Sequence, residues 1–149
     1  MRLSGMKVAI VGAAVGGAST ALLFARAGAS VTLFDRIEHP TAVGAGIALQ
    51  PNGLAVLAGL GLDTALTDRG AVLDALSIVD AEQRQLLKPT LPDDGSGLQH
   101  VLMVRRSELH EILHRAVAQE PRIRTRFGTT VLSASADGHL VTLDPTGAV

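Results

Sequence analysis

The chain has 149 residues, 47% of them hydrophobic and 18% charged, with a formal net charge of −1. A chain of that length can bury roughly two thirds of its unfolded surface, and the composition excludes intrinsic disorder. Three Phe with no Tyr or Trp, and balanced charge, argue against nucleic-acid partners; the lack of Cys excludes disulfides, thiolate metal sites and cysteine nucleophiles.

Val8 to Ala25 runs for eighteen residues without a charge. A membrane span fits that length, with Gly12 and Gly16 as a small-residue pair, and a signal segment fits Arg2 and Lys7 ahead of an apolar run. A change of period within the run favours strand, glycine turn and helix instead. Lys7 to Val11 is short, apolar and β-branched, the pattern of a strand buried on both faces. Gly12, Gly16 and Gly17 would weaken a membrane helix. Ser19 to Ala27 then supplies helix formers, with Ala18, Leu22, Ala25 and Ala29 at helical spacing. Ser30 to Phe34 reads as a second buried strand ending in Asp35. Two such strands joined by a helix make a right-handed, parallel βαβ unit.

The turn reads Gly12-Ala13-Ala14-Val15-Gly16-Gly17. The dinucleotide fingerprint Gly-x-Gly-x-x-Gly asks for glycine at 12, 14 and 17. Gly12 makes the tight turn, and Gly17 lets the helix pack close to the strand. Ala14 stands where a glycine would let backbone approach a pyrophosphate, and its methyl group costs clearance. The helix N-terminus still offers N–H groups and partial positive charge to a diphosphate. Asp35 lies 23 residues after Gly12. There a carboxylate can accept hydrogen bonds from ribose hydroxyls and would repel a 2′-phosphate, which argues against NADP as the tightly held nucleotide. The plain alternative is an Ala/Gly-rich βαβ unit that binds nothing.

Gly44-Ala45-Gly46-Ile47 reads as a loop whose backbone can approach something flat and bulky. Pro51 suits a helix start, with Leu54, Leu57, Ala58 and Gly61 at helical spacing. Ala75 to Asp80 and Gln85 to Lys88 read as a hairpin. Leu91 to Gly97 reads as a loop, in which Asp93 and Asp94 are solvated rather than metal-binding. Ser107 to Gln119 reads as a helix with Leu109, Ile112, Leu113, Ala116 and Val117 on one stripe. On it His110-Glu111-Ile112-Leu113-His114 spells the zinc-protease signature His-Glu-x-x-His. A third ligand is missing, since Val117 and Glu120 stand where a metzincin has Gly and His. No metal site is expected, and the two His are read on the solvent flank of the helix.

Arg122, Arg124 and Arg126 alternate along a strand as a solvated or ion-paired face rather than a phosphate stripe. Thr129 to Ala134 and Leu140 to Leu143 read as a hairpin across Asp137-Gly138, a type I′ signal. Asp144 to Gly147 reads as a further turn, and Ala148-Val149 as the start of a third strand. That meander is expected to leave an open edge.

Taken together, the Val11-to-Gly17 turn, Asp35-Arg36, Gly44 to Ile47 with Leu49, Pro51-Asn52, Leu60 to Leu62 and Val104 to His110 resemble one family. It is the single-component flavin-dependent aromatic hydroxylases, the p-hydroxybenzoate hydroxylase-like monooxygenases. The resemblance spans essentially the whole chain, with Ala14 a mild departure and Asp35 standing where Glu is usual.

The resemblance implies an α/β, Rossmann-like FAD-binding fold of the glutathione-reductase type. It would have a parallel sheet and a β-meander, and would be incomplete at the C-terminus. Residues 1–149 would be the N-terminal part of an FAD-binding domain, with the substrate domain and later FAD motifs absent. Gly12, Ala14, Val15, Gly16 and Gly17 would cradle the FAD pyrophosphate, Asp35 would hold the adenosine ribose, and Arg36 would sit near the adenine end. Arg106 would reach the pyrophosphate or ribityl chain. Gly46 and Ile47 would lie beside the isoalloxazine, and backbone near Val131 would meet the adenine edge.

In that family NAD(P)H visits transiently to reduce the flavin, and O2 serves to hydroxylate or epoxidise an aromatic or related small molecule. The flavin carries the chemistry, so no catalytic side chain is nominated. Nucleic acid and membrane are not expected as partners; a C-terminal partner half or a homodimer is, and the expected compartment is the cytoplasm. Two other readings stay open. One is the front end of a different FAD oxidoreductase, such as an amine oxidase or epoxidase. The other is a non-enzymatic or partner-dependent nucleotide-binding remnant.

Overall fold

The computed structural model describes residues 3–40, 44–73, 75, 77–88 and 95–143. In chain order the elements are β1 (Lys7–Val11), α1 (Val15–Arg26), β2 (Ser30–Asp35), β3 (Gly46–Leu49), α2 (Pro51–Gly59), α3 (Asp63–Thr67), β4 (Ala71–Leu73), β5 (Ile78–Val79), β6 (Gln85–Leu87), β7 (Val101–Arg105), α4 (Arg106–Gln119), β8 (Ile123–Phe127), β9 (Thr130–Ala134) and β10 (Leu140–Leu143). They fall into two compact units, residues 1–43 with 110–149, and residues 44–109.

The first unit is built on a parallel sheet in the order β1-β2-β8. The expected βαβ unit is present. The helix starts at Val15, so that Gly16 and Gly17 belong to its first turn. Ala18, Ala21, Leu22, Ala25 and Ala29 are buried against the sheet. These small side chains let α1 pack closely, and Ile10 faces it beside Gly17.

β1 departs from the two-sided burial expected of it. Lys7, Ala9 and Val11 are exposed, and only Val8 and Ile10 are half-buried. The cause is geometric: α1 covers one face, and alternate residues of a strand point to the other. The same parity leaves Arg124 and Arg126 exposed on β8, in register with Thr32 and Phe34.

β9 and β10 form the expected antiparallel hairpin, but its turn is not type I′. Only Gly138 has a positive φ, +86°. The Gly138 N–H donates to the Ser135 carbonyl and the Ser135 N–H to the His139 carbonyl, which describes a type I turn closed by a left-handed glycine. The expected turn at 144–147 and the strand start at 148–149 lie outside the described residues.

The second unit carries an antiparallel sheet in the order β3-β7-β4. Gly44 to Ile47 is therefore not all loop. Gly46 to Leu49 pairs with Leu102 to Arg105 as a strand. Gly70 is pressed against this sheet: a Cβ there would lie 2.8 Å from both Leu102 Cδ1 and Val104 Cγ1. Leu54 and Leu57 of α2, Leu60, and Leu66 of α3 are buried in this unit, with Leu49, Val101, Leu102, Val104 and Leu109. The β5–β6 hairpin is shorter than expected, and Asp80 caps its turn by accepting N–H bonds from Glu82 and Arg84. Asp93 and Asp94 lie outside the described residues.

Candidate functional site

Gly12 ends β1 with φ +97°, a conformation costly to any residue with a Cβ. Its N–H extends the ladder to the Phe34 carbonyl at 2.8 Å. A Cβ on Gly17 would fall 1.7 Å from the Gly12 carbonyl oxygen. Gly17 is thus compelled by the close approach of helix and loop. Ala14, by contrast, has φ −71° and is exposed, so a methyl group sits there without strain.

Ala14 is the N-cap of α1, with no side chain capping the helix and no acidic residue in the first turn. A helix leaves its first N–H groups without intrahelical acceptors. Those of the Val15-Gly16-Gly17 turn are the polar feature at this end. A Cβ on Gly16 would meet open space. Anionic oxygens suit such a turn.

Asp35 anchors the other side. Its Oδ2 accepts the Ala13 N–H at 2.7 Å and its Oδ1 accepts the Ile37 N–H at 2.9 Å. Its backbone carbonyl accepts the Thr129 N–H at 2.9 Å. Each carboxylate oxygen keeps a further lone pair, which is what two vicinal hydroxyls require. Around this carboxylate a cavity of ≈ 320 Å³ is lined by Val11, Gly12, Asp35 and Arg36 from the first βαβ unit, and by Thr129, Thr130 and Val131 from the start of β9. Pockets at the carboxyl ends of parallel strands are the usual ligand positions in such sheets.

Four of the residues singled out from sequence, Gly12, Asp35, Arg36 and Val131, therefore line one cavity, beside the turn formed by Ala14, Val15, Gly16 and Gly17. Thr129 and Thr130 line it too. The sequence offered no signal for them beyond their place at the start of a predicted strand. Gly46, Ile47 and Arg106 lie in the second unit. Gly46 pairs with Arg105, Ile47 with Val104, and the Arg106 N–H donates to the Ala45 carbonyl at 3.3 Å. A Cβ on Gly46 would make ordinary contacts at 3.5 Å, so packing does not demand glycine there.

The two His of the His-Glu-x-x-His segment are not on a solvent flank. Both are half-buried. Their rings stack at 4.0 Å, and His114 also meets the Phe127 ring at 5.7 Å. His114 Nε2 lies 2.7 Å from the Ala13 carbonyl oxygen. Glu111, between them, pairs with Arg115. Helical periodicity put both His on one side of α4, but it could not say that this side meets the glycine turn. Among the described residues no group of three or more His, Asp or Glu is placed to hold a metal ion. None of the described helices is long and apolar enough to cross a membrane; the eighteen-residue apolar run divides between β1, the turn and α1.

The features of the first unit fit FAD: a left-handed Gly12 closely approached by Gly17, an uncapped helix N-terminus, and a carboxylate held beside a cavity. Comparison with known proteins agrees. The chain is 30% identical over 132 residues to 3-hydroxybenzoate 6-hydroxylase of Klebsiella oxytoca, covering 85% of this chain and 33% of that protein. It is 34% identical over 111 residues to 3-amino-4-hydroxybenzoate 2-monooxygenase of Streptomyces cremeus, covering 72% and 28%. The chain thus spans about a third of the length of the curated relatives it matches. Among solved structures, p-nitrophenol 4-monooxygenase of Pseudomonas putida superposes with a TM-score of 0.81 at 18% identity, over 99% of this chain and 38% of that one. That likeness establishes the fold, an α/β arrangement shared with part of a larger protein. The family profile described as "FAD binding domain" matches residues 5–146, and with glycine turn, parallel sheet and carboxylate in the places such a domain needs them, the chain belongs to that family.

Proposed function

We propose that these residues are the FAD-binding region of a flavin-dependent monooxygenase that hydroxylates or epoxidises an aromatic or related small molecule with NAD(P)H and O2. The observation that carries the cofactor side is the cavity uniting Gly12, Asp35, Arg36 and Val131 beside the α1 N-terminus. The reaction class rests on the two relatives, one named a hydroxylase and the other a monooxygenase. When bound, FAD supplies the redox chemistry.

The chain's own residues bind and orient. Asp35 takes the ribose hydroxyls, the N–H groups of Ala14 to Gly17 take the diphosphate, and Arg36 and the Val131 backbone take the adenine end. Gly46 and Ile47 are assigned to the isoalloxazine, and Arg106 to the pyrophosphate or ribityl chain. No side chain is assigned a chemical step. Turnover belongs to a longer enzyme, since the chain spans about a third of its relatives, acting in the cytoplasm on a small aromatic substrate, with a C-terminal half or a second copy as partner.

A second reading, a nucleotide-binding remnant that folds with a partner, is favoured by exposed apolar side chains: Val11 at 60%, Leu86 at 64% and Leu132 at 56%. Competition titration separates the two. The proposal predicts that FAD binds, that ADP displaces it, and that FMN does not, because the first unit holds the adenosine half. It also predicts that a 2′-phosphorylated adenosine diphosphate binds more weakly than ADP, repelled by Asp35. Flavin-free, concentration-dependent oligomers would favour the second reading.

A further inference from the structure

We propose that His114 is a positioning residue for the nucleotide-binding turn: its Nε2–H holds the Ala13 carbonyl and thereby fixes which way the Ala13–Ala14 peptide faces. The inference rests on the FAD reading above and adds a residue of α4 to it. His114 is 101 positions from Ala13 in sequence, and its Nε2 lies 2.7 Å from the Ala13 oxygen. A carbonyl can only accept, so the ring proton sits on Nε2.

The surroundings keep that arrangement. His110 stacks on the ring one helical turn away and Phe127 of β8 lies against it, so the imidazole has little freedom to swing out. Ala13 itself is fully buried. It is gripped at both of its peptide groups: its N–H goes to Asp35 Oδ2 and its carbonyl to His114. The next carbonyl along, that of Ala14, takes the first helical bond from the Ala18 N–H. The Ala13 carbonyl therefore stands just outside the helix, where α1 gives it no partner.

A trans peptide points its C=O and the following N–H in opposite directions. With the Ala13 oxygen held on α4, the Ala14 N–H is turned away from α4. Flipping this peptide would bring a carbonyl dipole, negative end outward, into a turn that must receive a diphosphate. His114 thus does two things at once. It satisfies a buried acceptor and keeps that acceptor out of the anion's way. The His-Glu-x-x-His pattern on α4 is accounted for by this contact and its stacking partner, with no metal involved.

Two substitutions divide the hydrogen bond from the ring. His114→Phe keeps an aromatic ring against His110 and Phe127 and removes the donor. His114→Gln loses the ring and keeps an N–H at comparable reach. The expected result is FAD binding weakened about tenfold in His114→Phe and close to wild type in His114→Gln, measured by flavin fluorescence below each variant's melting temperature. A purely structural ring would give the reverse order, and that order would overturn the proposal. So would equal loss in both variants, or wild-type binding in His114→Phe. Should His114→Phe fail to fold, loss of FAD binding in folded His114→Gln is enough to reject it. Wild-type protein that binds neither FAD nor ADP would overturn the FAD reading along with the inference. Binding by wild type that is lost in Asp35→Ala but untouched at His114 would overturn the inference alone.

Discussion

At the scale of single residues, the turn is constrained more tightly than its motif requires. Gly17 admits no side chain, because its Cβ would lie 1.7 Å from a backbone oxygen. Gly17→Ala should therefore force helix and loop apart, costing about 1–3 kcal/mol or more of stability and abolishing tight nucleotide binding; a thermal melt with an FAD titration checks both. Gly16→Ala, facing open space, should fold as wild type. Gly12, Gly17 and Asp35 were legible in the sequence because their spacing follows from the geometry of a single βαβ unit. His114 was misread and Thr129 and Thr130 were overlooked because their roles depend on packing between segments far apart in the chain. No local period encodes that.

At the scale of elements, long periodic segments and turn-marked hairpins were legible, whereas β3, β4 and β7 were not. The apolar stripes of α1 and α4 are the buried ones, save for a half-buried Ala116. Val101 to Val104 is an apolar run too short to distinguish strand from helix. It becomes β7 because β3 and β4 pair on either side of it, and that same pairing turns Gly46 to Leu49 from loop into strand. Gly70 lies next to this sheet without room for a methyl group. Gly70→Ala should cost about 1–3 kcal/mol, read by chemical denaturation, whereas Gly53→Ala in α2, where a Cβ meets nothing, should cost none.

The β5–β6 turn responds to acid. N–H bonds, that of Arg84 foremost, hold the Asp80 carboxyl below the ordinary aspartate value. Because the folded value is lowered, its stabilising contribution is present above the ordinary aspartate range and is lost as pH falls through the lowered value. The amide resonances of Glu82 and Arg84 should titrate with a midpoint below that of a free aspartate. A midpoint at the free value would contradict the capping role.

At the scale of the molecule, each of the two units is a compact body of its own. The residues proposed for the adenosine and diphosphate half of FAD, Gly12 to Gly17, Asp35, Arg36 and Val131, all belong to the first unit. The chain spans about a third of its curated relatives, so nucleotide recognition is the property these residues can be asked to display by themselves. Family membership was legible because six separated motifs fall in the same order. The substrate was not, since the site residues those motifs supply are all assigned to the cofactor.

The most direct measurement is an FAD titration of the purified chain, followed by flavin fluorescence and by co-elution on gel filtration, with Asp35→Ala alongside. Asp35 anchors the Ala13 amide and is proposed to take the ribose hydroxyls, so its removal should weaken binding at least roughly tenfold. Saturable binding by wild type that falls in Asp35→Ala is the predicted result. Equal binding by both proteins, or displacement of FAD by FMN but not by ADP, would contradict the assignment of this cavity to the adenosine half of FAD.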